Sequence, residues 1–304
     1  EGIVTGDNVT LNNPVAGTLD NKDVGTNKTV TIKDFTLSGT DSRNYVLSTN
    51  SLTTNTAMVK AKTVEIALKG SSSKIFDGTT QAVLTNSNFD VTGILENEVV
   101  TLNASLLGSY DNQNVGKNKT ITVESLTIDG VNAANYVLSS QTVSGQIGEI
   151  TPKDITITAD ALQTKVYGAT EPTLSYTFTP SLVSGDSFTG TLQRASGENI
   201  GTYAITQGTL SAGTNYSIIY VGNDFKITAK PITVTADASQ TKVYGTIDPA
   251  FTYSVSPSLV SNDTFSGVLQ RITGENVGTY AIGQGTLTAG SNYAITYVGK
   301  DFKI

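Results

Sequence analysis

Short runs of alternating apolar and polar residues extend along the whole chain. In one run the large side chains of Tyr203 and Ile205 fall on one face, and in the next run Tyr216, Ile218 and Tyr220 do the same. This period of two predicts β-strands with one face toward a core and the other toward solvent. Turns rich in Gly and Asn separate the runs, and no stretch sustains a helical period. The pattern therefore predicts an all-β protein.

One stretch interrupts the alternation. Residues 180–186, and the copy that starts at Pro257, are compatible with one short helical turn. Two architectures stay open for the repeating unit: an Ig-like sandwich of two sheets, or a β-grasp-like single sheet with a short helix. A helix over Ser181–Asp186 packed across one sheet would favour the second.

Two kinds of internal repeat organise the chain. The motif Gln163–Gly168 returns unchanged as Gln240–Gly245, and residues 154–227 align with residues 231–304 without a gap. A different repeat occupies the first half, where the matching segments are 27–32 with 118–123 and 44–47 with 135–138. Self-similarity of this kind is typical of tandem modules.

The repeats predict four consecutive modules, namely residues 1–62, 63–152, 153–229 and 230–304. The first module is truncated, because it lacks the counterpart of residues 64–91, and we expect an unpaired strand edge near its start. No Gly/Ser spacer separates the modules, and Pro152 and Pro231 restrict the backbone at two joints. We expect an elongated, semi-rigid rod in which neighbouring modules of the same chain are the partners.

Composition excludes several functions. The 304 residues include no His, Cys or Trp, which removes His-based triads, HExxH metal motifs, disulfides and thiolate zinc sites. The net charge of −7 argues against nucleic acid as a partner. Apolar runs stay far below the roughly 18 residues of a membrane span, so we expect no membrane insertion. Polarity comes from Thr, Ser, Asn and Gly, as is typical of secreted all-β proteins.

Two repeated features are candidates for a binding site. The Tyr-Gly pair recurs at Tyr167 and Tyr244, and we interpret it as a structural anchor in which Tyr holds a turn to the core. The Gly that follows is expected to adopt a positive φ. Arg194 and its copy Arg271 each lie near a repeated glutamate, which predicts a cross-strand ion pair more strongly than a ligand contact.

Acidic and Asn-rich turns raise the question of calcium, which takes six to eight oxygen ligands. None of the turns has the spacing of an EF-hand, so we expect no metal site and no cofactor, with calcium as the minor alternative. The turns are 20–23, 111–114, 129–132 and 261–263. The sequence also leaves open an intramolecular Lys–Asn cross-link, which would need a buried lysine, an Asn or Asp, and a nearby acid.

These motifs carry a family resemblance. Lys165–Gly168 and its copy, with Gly-Glu-Asn-Ile/Val-Gly-Thr-Tyr downstream, resemble the MBG module of the YGX type. Lys74–Thr80, with Asn-Tyr-Val-Leu downstream, resembles the YDG module, although Phe76 stands where that family usually has Tyr. Such modules occur in very large secreted adhesins of Gram-negative bacteria, including gliding-type adhesins. The resemblance implies an extracellular location at the bacterial surface and a stalk or filament role, and it supplies no catalytic residues.

Three functions remain for comparison. The first is a structural stalk segment of a large surface adhesin that presents a distal tip. The second is a set of modules that bind glycan or protein multivalently, which predicts the same concave aromatic or Arg-lined patch in each copy. The third is an enzyme that uses carboxylate pairs, as glycosidases do, but small modules with acids mainly in turns offer no cleft. We expect the stalk and no enzyme activity.

Overall fold

The computed structural model describes residues 2–304. The chain forms two compact units, and the division falls between Thr151 and Pro152, next to the predicted boundary of the second and third modules. The division of each unit into two modules stays a prediction. None of the described helices has the length and apolar character that a membrane crossing requires.

The first unit consists of fifteen strands and three short 3-10 turns within its described residues. The strands are β1 (Thr10–Asn12), β2 (Thr18–Leu19), β3 (Gly25–Lys33), β4 (Thr36–Ser38), β5 (Ser51–Val59), β6 (Lys62–Leu68), β7 (Ser72–Ile75), β8 (Gln81–Val83), β9 (Phe89–Thr92), β10 (Thr101–Asn103), β11 (Leu107–Tyr110), β12 (Gly116–Val123), β13 (Thr127–Asp129), β14 (Tyr136–Leu138) and β15 (Val143–Thr151). The 3-10 turns are Ser42–Asn44, Asn86–Asn88 and Ala133–Asn135.

The second module has a core between two sheets. One sheet has the strand order β7-β15-β12-β11-β8, and the other has the order β14-β6-β9, with β10 and β13 forming a separate ribbon. Val64 of the smaller sheet and Ile121, Val123 and Ile150 of the larger sheet are fully buried. Both sheets therefore contribute side chains to the core, as the alternating pattern predicts.

The first module has only part of this framework. Its strands form the three-stranded sheet β2-β3-β5 and the ribbon β1-β4. Strand β15 pairs with both β12 and β7, whereas its counterpart β5 pairs only with β3 in the described part of the chain. An unpaired strand edge is present, but it lies along β5, at the end of the first module and not near its start, where it was expected. None of the apolar side chains of residues 2–62 is fully buried.

The second unit consists of fourteen strands. They are β16 (Lys153–Ala159), β17 (Gln163–Val166), β18 (Tyr176–Thr179), β19 (Gln193–Arg194), β20 (Gly201–Thr206), β21 (Tyr216–Val221), β22 (Asp224–Thr228), β23 (Lys230–Ala236), β24 (Gln240–Thr241), β25 (Tyr253–Ser256), β26 (Gln270–Arg271), β27 (Thr279–Gly283), β28 (Tyr293–Val298) and β29 (Lys300–Lys303).

The third and fourth modules share one topology. The sheets of the third module have the orders β18-β16-β21 and β17-β22-β20-β19, and those of the fourth are β25-β23-β28 and β24-β29-β27-β26. In the fourth module one buried cluster joins Val234 of the first sheet to Ile282 and Phe302 of the second. Each module is therefore a two-layer sandwich. Each sheet also contains one parallel pair, which the antiparallel Ig fold lacks.

The stretch over residues 180–186 does not form a helix. The amide of Asp186 donates to the carbonyl of Val183 at 3.0 Å and closes a single turn. No α-helix occurs in residues 2–304, so the β-grasp-like alternative is wrong for these modules. The all-β prediction is confirmed.

Candidate functional site

A buried lysine lies at the centre of the acidic turn in each of the first two modules. Strand β12 is bulged around Lys119, where the register with β15 shifts and Asn118 has a φ of 52°. The bulge turns Lys119 inward, because an extra residue changes which face the next side chain occupies. Its Nζ donates to Asn112 Oδ1 at 2.7 Å and pairs with Asp111 Oδ1 at 2.9 Å. Lys28 makes the same contacts with Asn21 and Asp20.

This arrangement bears on the calcium alternative. The oxygens that were candidates for calcium in the turns at 20–23 and 111–114 bind an ammonium group of the protein instead. Asp263, in a third candidate turn, accepts hydrogen bonds from two tyrosines. No group of three or more acidic side chains placed to hold a metal occurs in the part of the chain that the structure describes.

The same lysine has the neighbours that a Lys–Asn cross-link would need, but its electrostatics favour an ion pair. The hydrogen bond from Lys119 lowers the pKa of Asp111, despite partial burial. An ionised Asp111 has no proton to give to the Asn112 carboxamide. We therefore expect no loss of ammonia in the intact mass of the protein.

A cluster of four charges organises the third module, and it includes the lysine of the repeated motif. Its lysine and arginine are buried, whereas its two glutamates are partly exposed. Lys165 Nζ lies 2.8 Å from Glu171 Oε2 and 2.7 Å from Glu198 Oε2. Arg194 binds the same two carboxylates, through Nε and Nη2 to Glu171 at 2.6 and 2.9 Å and through Nη2 to Glu198 at 2.8 Å. The ion pair predicted for Arg194 is confirmed, although Arg194 and Glu198 lie four residues apart in one hairpin and the arginine is buried.

All five N–H groups of Arg194 are engaged within the module. Nε and Nη2 donate to the carboxylates, and Nη1 donates to the carbonyls of Ala195 and Gly197 at 3.0 and 2.6 Å. A guanidinium has five donors, so none is left for a ligand unless an internal bond breaks. The planar group also stacks near the rings of Tyr203 and Phe225, with centroids 5.1 and 5.4 Å away.

The cluster strongly perturbs its acids. The Arg194 guanidinium is the main cause that lowers the pKa of Glu171 to about 2, with a further contribution from Lys165. The hydrogen bonds to Glu171 and then Glu198 raise the pKa of Lys165. Both effects favour the charged forms, so the cluster is a stable ion network at neutral pH and not a proton-transfer site.

The fourth module repeats the cluster with Asp248 in place of Glu171. Arg271 donates to Asp248, to Glu275 and to the carbonyls of Ile272 and Gly274, and its five donors are again used. An open groove lies beside the arginine in each module, of about 470 Å³ at Arg194 and about 420 Å³ at Arg271. The same Arg-lined groove thus recurs in the third and fourth modules, but all N–H donors of its arginine already make hydrogen bonds within the module.

The Tyr-Gly pair has a different role from the one predicted. Gly168 and Gly245 have φ values of 75° and 85°, which confirms the need for glycine. Tyr167, however, packs against the core of the fourth module. Tyr244 is 64% exposed, so the prediction of a core anchor is wrong there.

Tyr167 belongs to a junction between the third and fourth modules. Its hydroxyl donates to Asp263 at 2.9 Å, and its ring meets that of Tyr293 edge to face with centroids 5.5 Å apart. Tyr293 also donates to Asp263, at 2.5 Å. A Cβ on Gly168 would lie 2.3 Å from Val260, so glycine is needed for this close approach as well.

Asn292 completes the junction with a two-way hydrogen bond to the preceding module. Its Oδ1 accepts from the amide of Ile200 at 3.0 Å, and its Nδ2 donates to Asn199 Oδ1 at 2.9 Å. We call Val260, Asp263, Asn292 and Tyr293 the head surface of the fourth module. Tyr167, Gly168, Asn199 and Ile200 form the tail surface of the third.

The first two modules meet through an equivalent head surface. Asn135 accepts from the amide of Val24 at 2.8 Å and donates to Asp23 at 3.0 Å, as Asn292 does in the other unit. Tyr136 donates to Glu98 at 2.6 Å, and Glu98 also pairs with Lys22 of the first module at 2.5 Å. Here Lys22 supplies the second donor that Tyr167 supplies in the other junction.

These contacts shift the pKa of the groups involved. The hydrogen bonds from Lys22 and then Tyr136 lower the pKa of Glu98, so it is ionised at neutral pH. The hydrogen bond to Asp263 raises the pKa of Tyr167. Each junction is therefore a short polar network around one carboxylate, with charge-assisted hydrogen bonds that fix its geometry.

Sequence reasoning missed the junction residues and the buried lysines. The Asn-Tyr pair was used only to align repeats, although its recurrence as Asn44, Asn135, Asn215 and Asn292 was visible. A conformational signal was also present, because Asn27 and Asn118 precede the buried lysines and both have positive φ. Neither signal indicates contact with another module unless the three-dimensional arrangement is known.

Comparison with known proteins agrees with the repeat pattern. The YDG domain family matches residues 1–54 and 60–143, and the MBG domain (YGX type) family matches residues 155–226 and 232–303. No curated protein matches the chain. Among solved structures, Drosophila N-cadherin EC1-4 is similar with 9% identity, 98% of this chain and 92% of that chain covered, and a TM-score of 0.23, which is too low to show a shared fold. The chain is a tandem array that belongs to the YDG and MBG (YGX type) domain families.

Proposed function

We propose that this chain is a stalk segment of a secreted bacterial surface adhesin, which holds a distal binding region away from the cell. The observation that carries the proposal is the repeated junction, in which an Asn-Tyr pair and a carboxylate hold the loop of the preceding module. A stalk needs such directional joints, because flexible linkers would let the modules tumble independently. The bacterial surface location rests on the resemblance of the repeats.

The saturated arginines further support a mechanical role. A ligand that binds the guanidinium of Arg194 or Arg271 from the groove would have to displace an internal carboxylate or carbonyl, which costs free energy. The repeated cluster is better suited to holding β17, β19 and the following loop together within each module.

Small-angle scattering of the whole chain tests the stalk. A compact globule of this length would have a radius of gyration of about 19 Å. We expect a clearly larger value for a row of four modules. We expect Asn292→Ala, which removes both hydrogen bonds of one junction, to broaden the distribution of interatomic distances, while the exposed control Asn13→Ala leaves it unchanged. A globular profile for the parent chain would overturn the proposal.

Direct multivalent binding is the second candidate, and the recurring grooves are the observation that favours it. A screen of the chain against glycans and surface proteins separates the two functions. If the chain is a stalk segment, we expect no binding that depends on the grooves. Saturable binding that is lost in Gln193→Ala, a groove residue outside the ion network, and in its copy Gln270→Ala would favour the second function.

A further inference from the structure

A groove crosses the outer face of the larger sheet of the second module, and we call it the sheet groove. Its volume is about 520 Å³, and Gln81, Ser109 and Thr122 line it. These residues lie opposite one another on three adjacent strands, with Gln81 of β8 against Ser109 of β11, and Ser109 against Thr122 of β12. Their sequence neighbours Ala82 and Tyr110 are buried in the core. The row of polar side chains therefore faces solvent.

The polar side chains of the sheet groove are available to a ligand. Within residues 2–304, the side chains of Gln81, Ser109 and Glu124 make no hydrogen bond or ion pair. Thr122 shares one hydrogen bond with Ser144, at 2.8 Å. A carboxamide and a hydroxyl both donate and accept, and a carboxylate accepts. The groove can therefore bind a polar ligand without breaking an internal bond, unlike the arginines of the third and fourth modules.

An aliphatic strip lies beside the polar row. Leu107 lies opposite Val83, two residues along the strands from Ser109 and Gln81, so all four side chains share one face of the sheet. Leu107 is 52% exposed and Val83 is 68% exposed. A pyranose sugar has hydroxyl groups around its ring and C–H groups on its faces. Polar groups next to an aliphatic strip match both parts of such a ring.

The charge of the groove disfavours acidic ligands. Among the described residues that line it, Glu124 alone is charged. The whole chain has a net charge of −7. Both charges repel uronic acid and sulfate groups. A neutral sugar avoids this repulsion, and its hydroxyls can donate to the carboxylate.

The first module has hydroxyl groups at the aligned positions of the row. They are Thr18, Thr31 and Thr53, which align with Ser109, Thr122 and Ser144. Thr18 lies opposite Thr31, and Thr31 lies opposite Thr53. A groove of about 410 Å³ lies beside Thr18 and Thr31. Serine and threonine thus replace each other along the row while the hydroxyl is kept.

We propose that the sheet groove binds a neutral glycan whose chain runs across β8, β11 and β12. Neighbouring strands lie about 4.8 Å apart, which is close to the length of one hexose residue in an extended glycan. Successive sugars therefore meet Gln81, Ser109 and Thr122 in turn, and a C–H face contacts Leu107. Glu124, which follows β12, accepts hydrogen bonds from sugar hydroxyls. This assignment goes beyond the stalk function, which needs no ligand along the stalk.

Affinity electrophoresis of the whole chain tests the assignment. The gels contain a neutral glucan, mannan or galactan, with polygalacturonate as the anionic comparison. A groove variant carries Gln81→Ala and Ser109→Ala. A control variant carries Gln146→Ala and Ser73→Ala, which remove the same groups from β15 and β7 of the same sheet. All four side chains are exposed, so we expect both variants to fold.

We expect at least one neutral glycan to retard the parent chain and the control variant equally. The groove variant should bind this glycan at least about tenfold more weakly, because two hydrogen bonds to the ligand are lost. Calorimetry with oligosaccharides of the same glycan should show an affinity that rises up to about three sugars and then levels, since the row spans three strands. Polygalacturonate should not retard the chain.

Four results would overturn the proposal. They are no retardation by any of the three neutral glycans, stronger retardation by polygalacturonate, equal binding by the groove variant and the parent, and loss of binding in the control. Binding that is kept in the groove variant but lost with Gln193→Ala and Gln270→Ala would assign the glycan to the arginine grooves instead. The scattering test of the stalk is independent of all these results.

Discussion

The first and second modules have the same sequence pattern, and yet one has a buried core and the other does not. Tyr110 of the second module is 3% exposed, whereas the aligned Leu19 of the first is 43% exposed. Val143 and the aligned Leu52 are 8% and 54% exposed. Strands β3 and β5 nevertheless pair as β12 and β15 do, with the same bulge around the lysine.

The difference separates two levels of folding. Adjacent strands and their turns form from local sequence, because a hairpin satisfies its own backbone hydrogen bonds. A core forms only when a second layer covers the apolar face. Residues 64–91, which lack a counterpart in the first module, supply most of β6 and β9 in that layer, and they also supply β7 and β8, which widen the sheet that contains β12 and β15. Four experiments can test this explanation.

Truncation of a core ring should have the largest effect. Tyr110→Ala removes a buried ring and a hydroxyl that donates to the Ser72 carbonyl at 3.1 Å, and we expect a loss of about 3–5 kcal/mol in the free energy of unfolding of the second module. The matched change Leu19→Ala should cost less than about 1 kcal/mol, since its side chain is half exposed. Segment-resolved hydrogen exchange in urea measures both. Equal costs would contradict the comparison.

A glycine marks where the two modules are packed differently. A Cβ on Gly148 would lie 2.6 Å from Cε1 of Tyr110. In the first module the aligned residues are Ala57 and the smaller Leu19. We expect Gly148→Ala to cost about 1–3 kcal/mol through overpacking.

Gly148→Ala should cost much less in a Tyr110→Leu background, because the two substitutions together reproduce the combination of Leu19 and Ala57 in the first module. A double-mutant cycle measures the coupling between the two positions. Additive costs would show that ring and glycine do not constrain each other.

The open edge of β5 should exchange faster than its counterpart. β15 is hydrogen-bonded on both sides, whereas β5 is bonded on one, so opening β5 breaks fewer contacts. We expect amides in residues 57–59 to exchange at least about tenfold faster than those in residues 148–150. Equal protection in the native chain would mean that β5 is covered in solution.

The smallest effect concerns pH. Folding lowers the pKa of Asp111, mainly through the hydrogen bond from Lys119, so its stabilising contribution is present above the unfolded pKa of about 3.9. It is lost as the pH falls through the lower pKa of the folded state.

Asp111→Asn should therefore flatten the acid limb of the stability curve of the second module. Asp20→Asn should change the first module less, because Lys28 lies 3.4 Å from Asp20 and Lys119 lies 2.9 Å from Asp111. Hydrogen exchange between pH 5 and pH 2 follows both modules in one sample. A larger effect at Asp20 would reverse the expected order.

The strand pattern and the two repeat types were predictable from the sequence, because the period of two and the self-similarity can be read from the order of residues alone. The existence of an open edge was predictable as well, but its place along β5 was not. The sandwich was not, since alternation indicates a half-buried strand but not whether a helix or a second sheet covers it. The stretch that ends at Asp186 forms a single turn, and the sequence of such a short stretch does not distinguish a turn from a helix.

The candidate site was predictable only in part. Gly168 carried a conformational signal that the sequence reading recognised, while the role of Tyr167 depends on Asp263, almost a hundred residues away in the chain. Arg194 and Glu198 were paired correctly, but Glu171 was missed because nothing in its local sequence marks it as a partner. Contacts that join distant segments leave no trace in local spacing.

The shared head surface has a consequence for how genes of this kind can change. Asn135 and Asn292 make the same two-way bond in junctions of different repeat types, so each duplicated copy inherits one half of the joint on either side. Unequal recombination can then lengthen or shorten the array without a compensating mutation. Selection for the length of the stalk can then act through the number of modules alone.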